Sequence, residues 1–243
     1  MSLKNLRDLH QANPQIRKHM LYRSESLRGI DKDDLEQLRR LNVRYVVDLR
    51  SDEEVNVDSY QLPEDFCYYH ISALHTQDGL ENFYFFSLIH PHSTEEDIMK
   101  ASSFVREGYK VLPFDNNAYQ KIFDLMLQEN GGILFHCSSG KDRTGVIAAL
   151  ILKMFGTSDV MVMNDYLLSN ELILDELKDN IKNIGLNEEL QAVLTYCCSV
   201  HEELLVSSFD EILQKYSSWD EYFACEYGLT QEKRKFLNKK YLR

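Results

Sequence analysis

The residues best equipped for chemistry lie in one stretch, His136-Cys137-Ser138-Ser139-Gly140-Lys141-Asp142-Arg143-Thr144-Gly145. An apolar run, Ile133-Leu134-Phe135, leads into it, and a nearly all-apolar segment from Val146 to Phe155 leads out. That order reads as strand, loop and buried helix. In such a turn the backbone N–H groups of Ser138, Ser139, Gly140 and Lys141 can face inward as an anion-binding nest, and the helix adds its positive end. Gly140 lets the loop curl without a Cβ clash. Arg143 supplies a planar fork matched to two phosphoryl oxygens. A thiol beside a cation and a helix N-terminus is favoured in its ionised, nucleophilic form. Cys137 is therefore expected to attack phosphorus and form a cysteinyl-phosphate, with Arg143 and the loop amides holding the shifting charge. Thr144 is placed to donate a hydrogen bond to the sulfur and ease its departure. The bland alternative, a buried cysteine in a turn, does not account for this electropositive setting.

Further candidates flank the loop. His136 precedes the nucleophile and reads as a neutral orienter of the loop. Lys141 adds charge at the pocket rim or is a solvated surface lysine. Asp48 and Arg50 at a strand end, with Arg23, are candidates for orienting the loop or touching substrate, and equally for a structural ion-pair network. Cys197-Cys198-x-x-His201 is poor tetrahedral geometry for a metal, and Cys197 reads better as part of an apolar helix face. His70, His75, His90 and His92 have no ligand spacing, so no metal or cofactor is expected.

Elements must hold these residues in place. Leu21–Ser24, Val43–Leu49 and Phe66–Ser72 read as strands, and Val43-Arg44-Tyr45-Val46-Val47-Asp48-Leu49 is a β-branched run suited to a buried one. A helix is expected over about 31–41 with Asp31 as N-cap, and Ser51-Asp52-Glu53-Glu54 looks like another helix start. A helical pattern lies near 95–107, whereas Phe83-Tyr84-Phe85-Phe86 has no clear place. Tyr119, Ile122, Phe123, Met126 and Leu127 mark one helical face, expected to end at a glycine cap in Asn130-Gly131-Gly132. Everything beyond 157 reads as helical. Leu186, Leu190, Val193, Leu194, Cys197, Leu204 and Leu205 form one apolar stripe, and further helices lie near 201–215, 218–227 and 230–240, with Thr230 an N-cap. The alternation of strand and helix implies an α/β fold with a central, mostly parallel sheet, helices on both faces and a helical C-terminal elaboration. A single domain over 1–243 is expected, with the sheet core in 1–157 and the helical part in 158–243.

Composition narrows the setting. A net charge of −12 weighs against nucleic acid and diffuse adhesion to anionic membrane as partners. The 5 cysteines show no disulfide framework, and no stretch reaches membrane-spanning length, so a soluble cytoplasmic protein without a stable membrane anchor is expected.

The loop HCSSGKDRTG resembles the signature of the protein-tyrosine-phosphatase superfamily, and more narrowly the bacterial tyrosine/serine phosphatases whose loop reads HCxxGKDRTG. Leu21-Tyr22-Arg23-Ser24, Val46 to Glu54 and Asp165-Tyr166-Leu167-Leu168-Ser169-Asn170 carry the resemblance along the chain, with 75–112 the least similar part. It implies a metal-free phosphomonoester hydrolase acting on phosphotyrosine, with phosphoserine/threonine as further substrates. The partner is then a phosphorylated protein or peptide. The resemblance also suggests Asp142 as general acid, in place of an ordinary helix-terminus acid. A lysine like Lys141 also occurs in phosphoinositide phosphatases, so phosphoinositides are the alternative substrate. A non-catalytic phosphate-binding module would be expected to lack Cys137 or Arg143. Sulfur transfer has no need of Arg143-Thr144, and arsenate reduction would want a dedicated resolving cysteine.

Overall fold

A computed structural model of the chain describes residues 3–74, 89–128 and 130–243. His75 and Phe83-Tyr84-Phe85-Phe86 lie outside the described residues. Strands β1 (Arg7–Asp8), β2 (Leu21–Ser24), β3 (Val43–Asp48), β4 (Cys67–His70) and β5 (Gly132–His136) form one sheet in the order β1-β2-β5-β3-β4. Only the β1–β2 pair is antiparallel. The expected α/β architecture with a mostly parallel sheet is therefore present. The apolar strand leading into the cysteine loop, β5, is its central strand and is buried at every residue. Its side chains alternate between the sheet faces: Leu134 packs with Val46 and Leu38 on one side, and Ile133 and Phe135 join the main core on the other.

Helices cover both faces, and their starts follow local capping chemistry. α1 (Lys32–Arg40) begins at a reciprocal box between Asp31 and Asp34, and α2 (Asp52–Val57) at one between Ser51 and Glu54. α3 (Glu95–Val111) starts at a third, from Thr94 to Asp97. α4 (Asn117–Gln128) and α5 (Arg143–Met154) follow, and α5 is buried from Thr144 through Leu152, as a central helix must be. α6 (Asp159–Ile184) ends at Gly185, whose φ of 85° is the left-handed C-cap geometry that glycine tolerates.

The expected single stripe from Leu186 to Leu205 is two helices, α7 (Glu188–Cys198) and α8 (Glu202–Lys215). The break has a visible cause. Asn170 of α6 accepts from the Val200 amide and donates to the Val200 carbonyl, 2.8 Å each, satisfying backbone that a continuous helix would have satisfied itself. α9 (Trp219–Tyr227) and α10 (Gln231–Tyr241) complete the chain, with Thr230 capping α10. α3, α6 and α7 share an apolar cluster apart from the main core, built on Ile98, Leu177, Ile181 and Leu194. This second cluster sets helices beside the loop that follows β5.

Candidate active site

The loop 137–142 runs from the end of β5 into α5, and its backbone is fastened from outside. His136 Nδ1 donates to the Cys137 carbonyl at 3.0 Å, and the Ser26 amide donates to the Ser138 carbonyl at 2.9 Å. Asn5 Nδ2 reaches the Ser139 and Gly140 carbonyls, both at 3.0 Å, and Arg23 Nη2 adds a bond of 2.8 Å to the Gly140 carbonyl. Four successive carbonyls thus point away from the loop centre. Among the described residues, the amides of Ser138 to Lys141 donate to no protein acceptor. Gly140 has φ 66°, and a Cβ there would lie 2.0 Å from the Ser24 carbonyl oxygen. Only glycine permits both the turn and the approach to β2.

The buried groups behind the loop form two ion-pair knots. In the first, Asp165 of α6 accepts from Arg23 Nη1 at 2.6 Å and Arg7 Nε at 2.7 Å, and all three side chains are nearly inaccessible. Arg23 thereby links Asp165 to the Gly140 carbonyl. It orients the loop and does not reach the cavity. In the second, Asp48 accepts from Arg50 Nη2 at 2.7 Å and from Tyr68 Oη at 2.9 Å. Burial alone would raise the Asp48 carboxyl, but His136 in its protonated form and the Arg50 guanidinium outweigh it and hold it well below the usual carboxylate range. Asp48 lines neither cavity at the loop, so it is a structural group. Burial lowers the His136 imidazole, so the ring is neutral. Its Nδ1–H serves Cys137, and Nε2 accepts from Tyr60 Oη at 2.5 Å.

Glu54, the capping residue of α2, is a member of the site that the sequence reading did not single out. Its carboxylate takes Arg143 Nη1 at 2.5 Å and Nη2 at 2.8 Å, accepts from Ser138 Oγ, and still receives the Ser51 amide at 2.8 Å. Burial would raise it, but Arg143 and these donors pull it down to about 2. Two of the five guanidinium N–H groups are thereby used, so Nε–H and one hydrogen on each terminal nitrogen remain. The Ser51-x-x-Glu54 pattern announced the cap but not the reach to Arg143.

Asp142 stands at the N-cap of α5 yet makes no side-chain cap bond. Its carboxylate instead accepts from Tyr109 Oη at 2.8 Å and Lys141 Nζ at 2.5 Å, and Tyr166 Oη donates to Tyr109 at 2.7 Å. Tyr119 Oη fixes the Arg143 carbonyl at 2.6 Å. Thr144 Oγ1 is buried and without a hydrogen-bond partner, so the expected bond to the cysteine sulfur is not formed. Cys137, Asp142 and Arg143 line a pocket of about 140 Å³, walled by Leu74, Phe104 and Leu112 and bordered by Leu177 of α6 and Cys198 of α7. Cys137 is 1% exposed. Ser138, Ser139, Glu54 and Leu177 also border an adjoining cleft of about 630 Å³. Cys197 packs against the Met99 sulfur, and His201 Nε2 bonds to the Tyr196 carbonyl. The two are engaged separately.

Over 192 residues the chain is 29% identical to the triple specificity protein phosphatase PtpB of Mycobacterium tuberculosis, covering 70% of this chain and 67% of that one. It is 28% identical over 166 residues to a tyrosine-protein phosphatase of Nostoc commune, covering 65% of this chain and 51% of that protein. Among solved structures, the human tyrosine phosphatase-like serine/threonine/tyrosine-interacting protein superposes with a TM-score of 0.40 at 12% identity, covering 86% of this chain and 97% of its own. The model of the tyrosine phosphatase family matches residues 1–243, and the chain belongs to that family.

Proposed function

We propose that the chain hydrolyses phosphomonoesters of proteins, phosphotyrosine above all, through a cysteinyl-phosphate at Cys137. The observation that carries this reading is the pinned loop: its carbonyls are tied outward, while four successive amides and part of the Arg143 fork remain for an anion. The Cys137 sulfur forms a bond to phosphorus as the ester P–O bond breaks, and Asp142 gives its proton to the departing oxygen. Asp142 then takes a proton from water, whose oxygen attacks phosphorus. The P–S bond breaks and inorganic phosphate leaves. Arg143, oriented by Glu54, follows the phosphoryl oxygens through both steps. Thr144, with its buried unpartnered hydroxyl, donates to the sulfur as it becomes the leaving group.

The apolar walls Leu74, Phe104 and Leu112 suit a phenyl ring. The related PtpB is named for triple specificity, which supports activity on more than one class of phosphorylated substrate. Lys141, the residue favouring phosphoinositides, has its ammonium against Asp142. The helical part 158–243 works as one unit with 1–157, because Asp165 holds Arg23 and Leu177 borders the pocket. Among the described residues no helix is long and apolar enough to cross a membrane. A reducing, cytoplasmic setting suits a nucleophile that must stay a thiol.

A panel of phosphotyrosine, phosphoserine and phosphoinositide substrates, run with wild type and Cys137→Ser, tests the reading. Turnover of phosphotyrosine is expected from wild type alone, with vanadate still bound by the variant. Turnover by Cys137→Ser near the wild-type rate would sink the mechanism.

A further inference from the structure

The open cleft of about 630 Å³ beside the catalytic pocket is larger than anything the phosphoryl chemistry uses. Glu54, Ser138, Ser139 and Leu177 line both the cleft and the catalytic pocket, so the cleft adjoins the position of a phosphoryl group on Cys137. One wall is a single stripe of α6. Ile173, Leu177, Asn180 and Ile184 recur at helical spacing and all face the cleft. The other wall is α2, where Glu53 and Val57 are one turn apart on the same face. Val57, 86% exposed, is the aliphatic side chain that α2 contributes to the cleft.

Charge separates the occupants such a cleft would take. Two of its charged groups are spent internally, Arg50 on Asp48 and Glu54 on Arg143. Arg28 pairs with Asp58 at 3.6 Å and Glu25 accepts from the Lys4 amide at 3.2 Å, and the rim made by Glu25, Glu53, Asp58 and Arg28 is still net negative. A polyanionic inositol headgroup would meet this net negative rim at a cost. A chain segment carrying a cationic side chain would gain from it.

We propose that this cleft is the subsite for the polypeptide flanking the phosphorylated residue, with an aliphatic side chain seated between Val57 and the Ile173–Leu177–Ile184 stripe and a Lys or Arg against Glu53. The proposal rests on the phosphoprotein reading above and assigns its sequence preference. Selection then arises outside the catalytic pocket, in residues that do not touch phosphorus.

The test compares kcat/KM on three phosphotyrosine peptides, one with an aliphatic and a basic flank, one with Ser/Gly flanks and one with Glu flanks. Each value is divided by that for para-nitrophenyl phosphate, which fills only the catalytic pocket. The aliphatic-basic peptide is expected to exceed the Glu-flanked one by about tenfold or more, and Glu53→Lys to erase most of that ratio. Val57→Glu should lower the aliphatic-basic peptide selectively. Both positions are exposed, so neither change should unfold the chain. Peptides turned over within about twofold of one another, or a ranking unmoved by both variants, would overturn the subsite while leaving the protein-substrate reading intact. If para-nitrophenyl phosphate is hydrolysed but no peptide is, or a soluble phosphoinositide outruns all three, the protein-substrate reading falls and the subsite with it.

Discussion

Two carboxylates divide the work at Arg143 and Asp142. Glu54 is held low by the guanidinium it grips, so it is a fixed anion that orients Arg143. A lysine at 143 could not keep both the Glu54 grip and a two-pronged hold on phosphate. Arg143→Lys should therefore lose about 10²–10³ in kcat, the usual cost of removing a transition-state donor. A loss below about tenfold would mean the fork is not aimed at the phosphoryl group. Asp142 is different, because it skips its helix cap and turns to Tyr109 and Lys141 inside the pocket. If it protonates the leaving oxygen, Asp142→Asn should slow aryl phosphates with high-pKa leaving groups far more than those with low-pKa ones. An equal loss across the series would reduce Asp142 to a loop-shaping role. Asp48 could not replace it, being sealed behind the loop against Arg50.

At the scale of elements, the loop is only as rigid as what ties it to its neighbours. Asp165 of α6 neutralises two buried guanidiniums, and one of them, Arg23, holds the Gly140 carbonyl. Asp165→Asn would leave net positive charge in a sealed site, a change that typically costs about 3–5 kcal/mol. Denaturant unfolding should show it, whereas Asp65→Asn, at the exposed pair with Arg39, should barely move the midpoint. A small effect at 165 would mean the knot is open to solvent. This knot also marks where sequence reading stops. Strands β2, β3 and β5, the cap at Asp31 and the turn at Gly140 follow from signals within a few residues of one another. So does the cysteine loop. Asn5, Asp165, Tyr109 and Tyr119 reach the loop only through the fold, across tens to more than a hundred residues of chain. The helix start near 201 is legible, but not the bonds from Asn170 on another helix that secure the Val200 backbone before it.

At the scale of the whole molecule, the groups that build the site also set its acid stability. Glu54, Asp48 and Asp165 are each lower in the folded chain than an ordinary carboxylate, because their cationic partners, guanidiniums for Glu54 and Asp165 and His136 with Arg50 for Asp48, overcome burial. Their contribution is complete above the unfolded range near 4 and is lost as pH falls through the lower folded values, about 2 for Glu54. His136 acts earlier. Burial lowers its folded value below the ordinary imidazole range, so unfolding takes up a proton as soon as pH drops under about 6.5. The unfolding free energy should therefore fall in two stages. The first is a shallow limb that begins as pH falls below about 6.5, no steeper than about 1.4 kcal/mol per pH unit, the limit for one proton. The second is a steeper limb below 4, where three carboxylates take up protons together. Chemical denaturation at half-unit pH steps would resolve both, and His136→Gln should erase the first limb and weaken the second through Asp48, which His136 helps to hold low. A wild-type profile flat as pH falls below about 6.5 would mean His136 is already charged in the folded state. Its Nε2–H would then donate to Tyr60 instead of accepting from it, while Nδ1–H still held the Cys137 carbonyl.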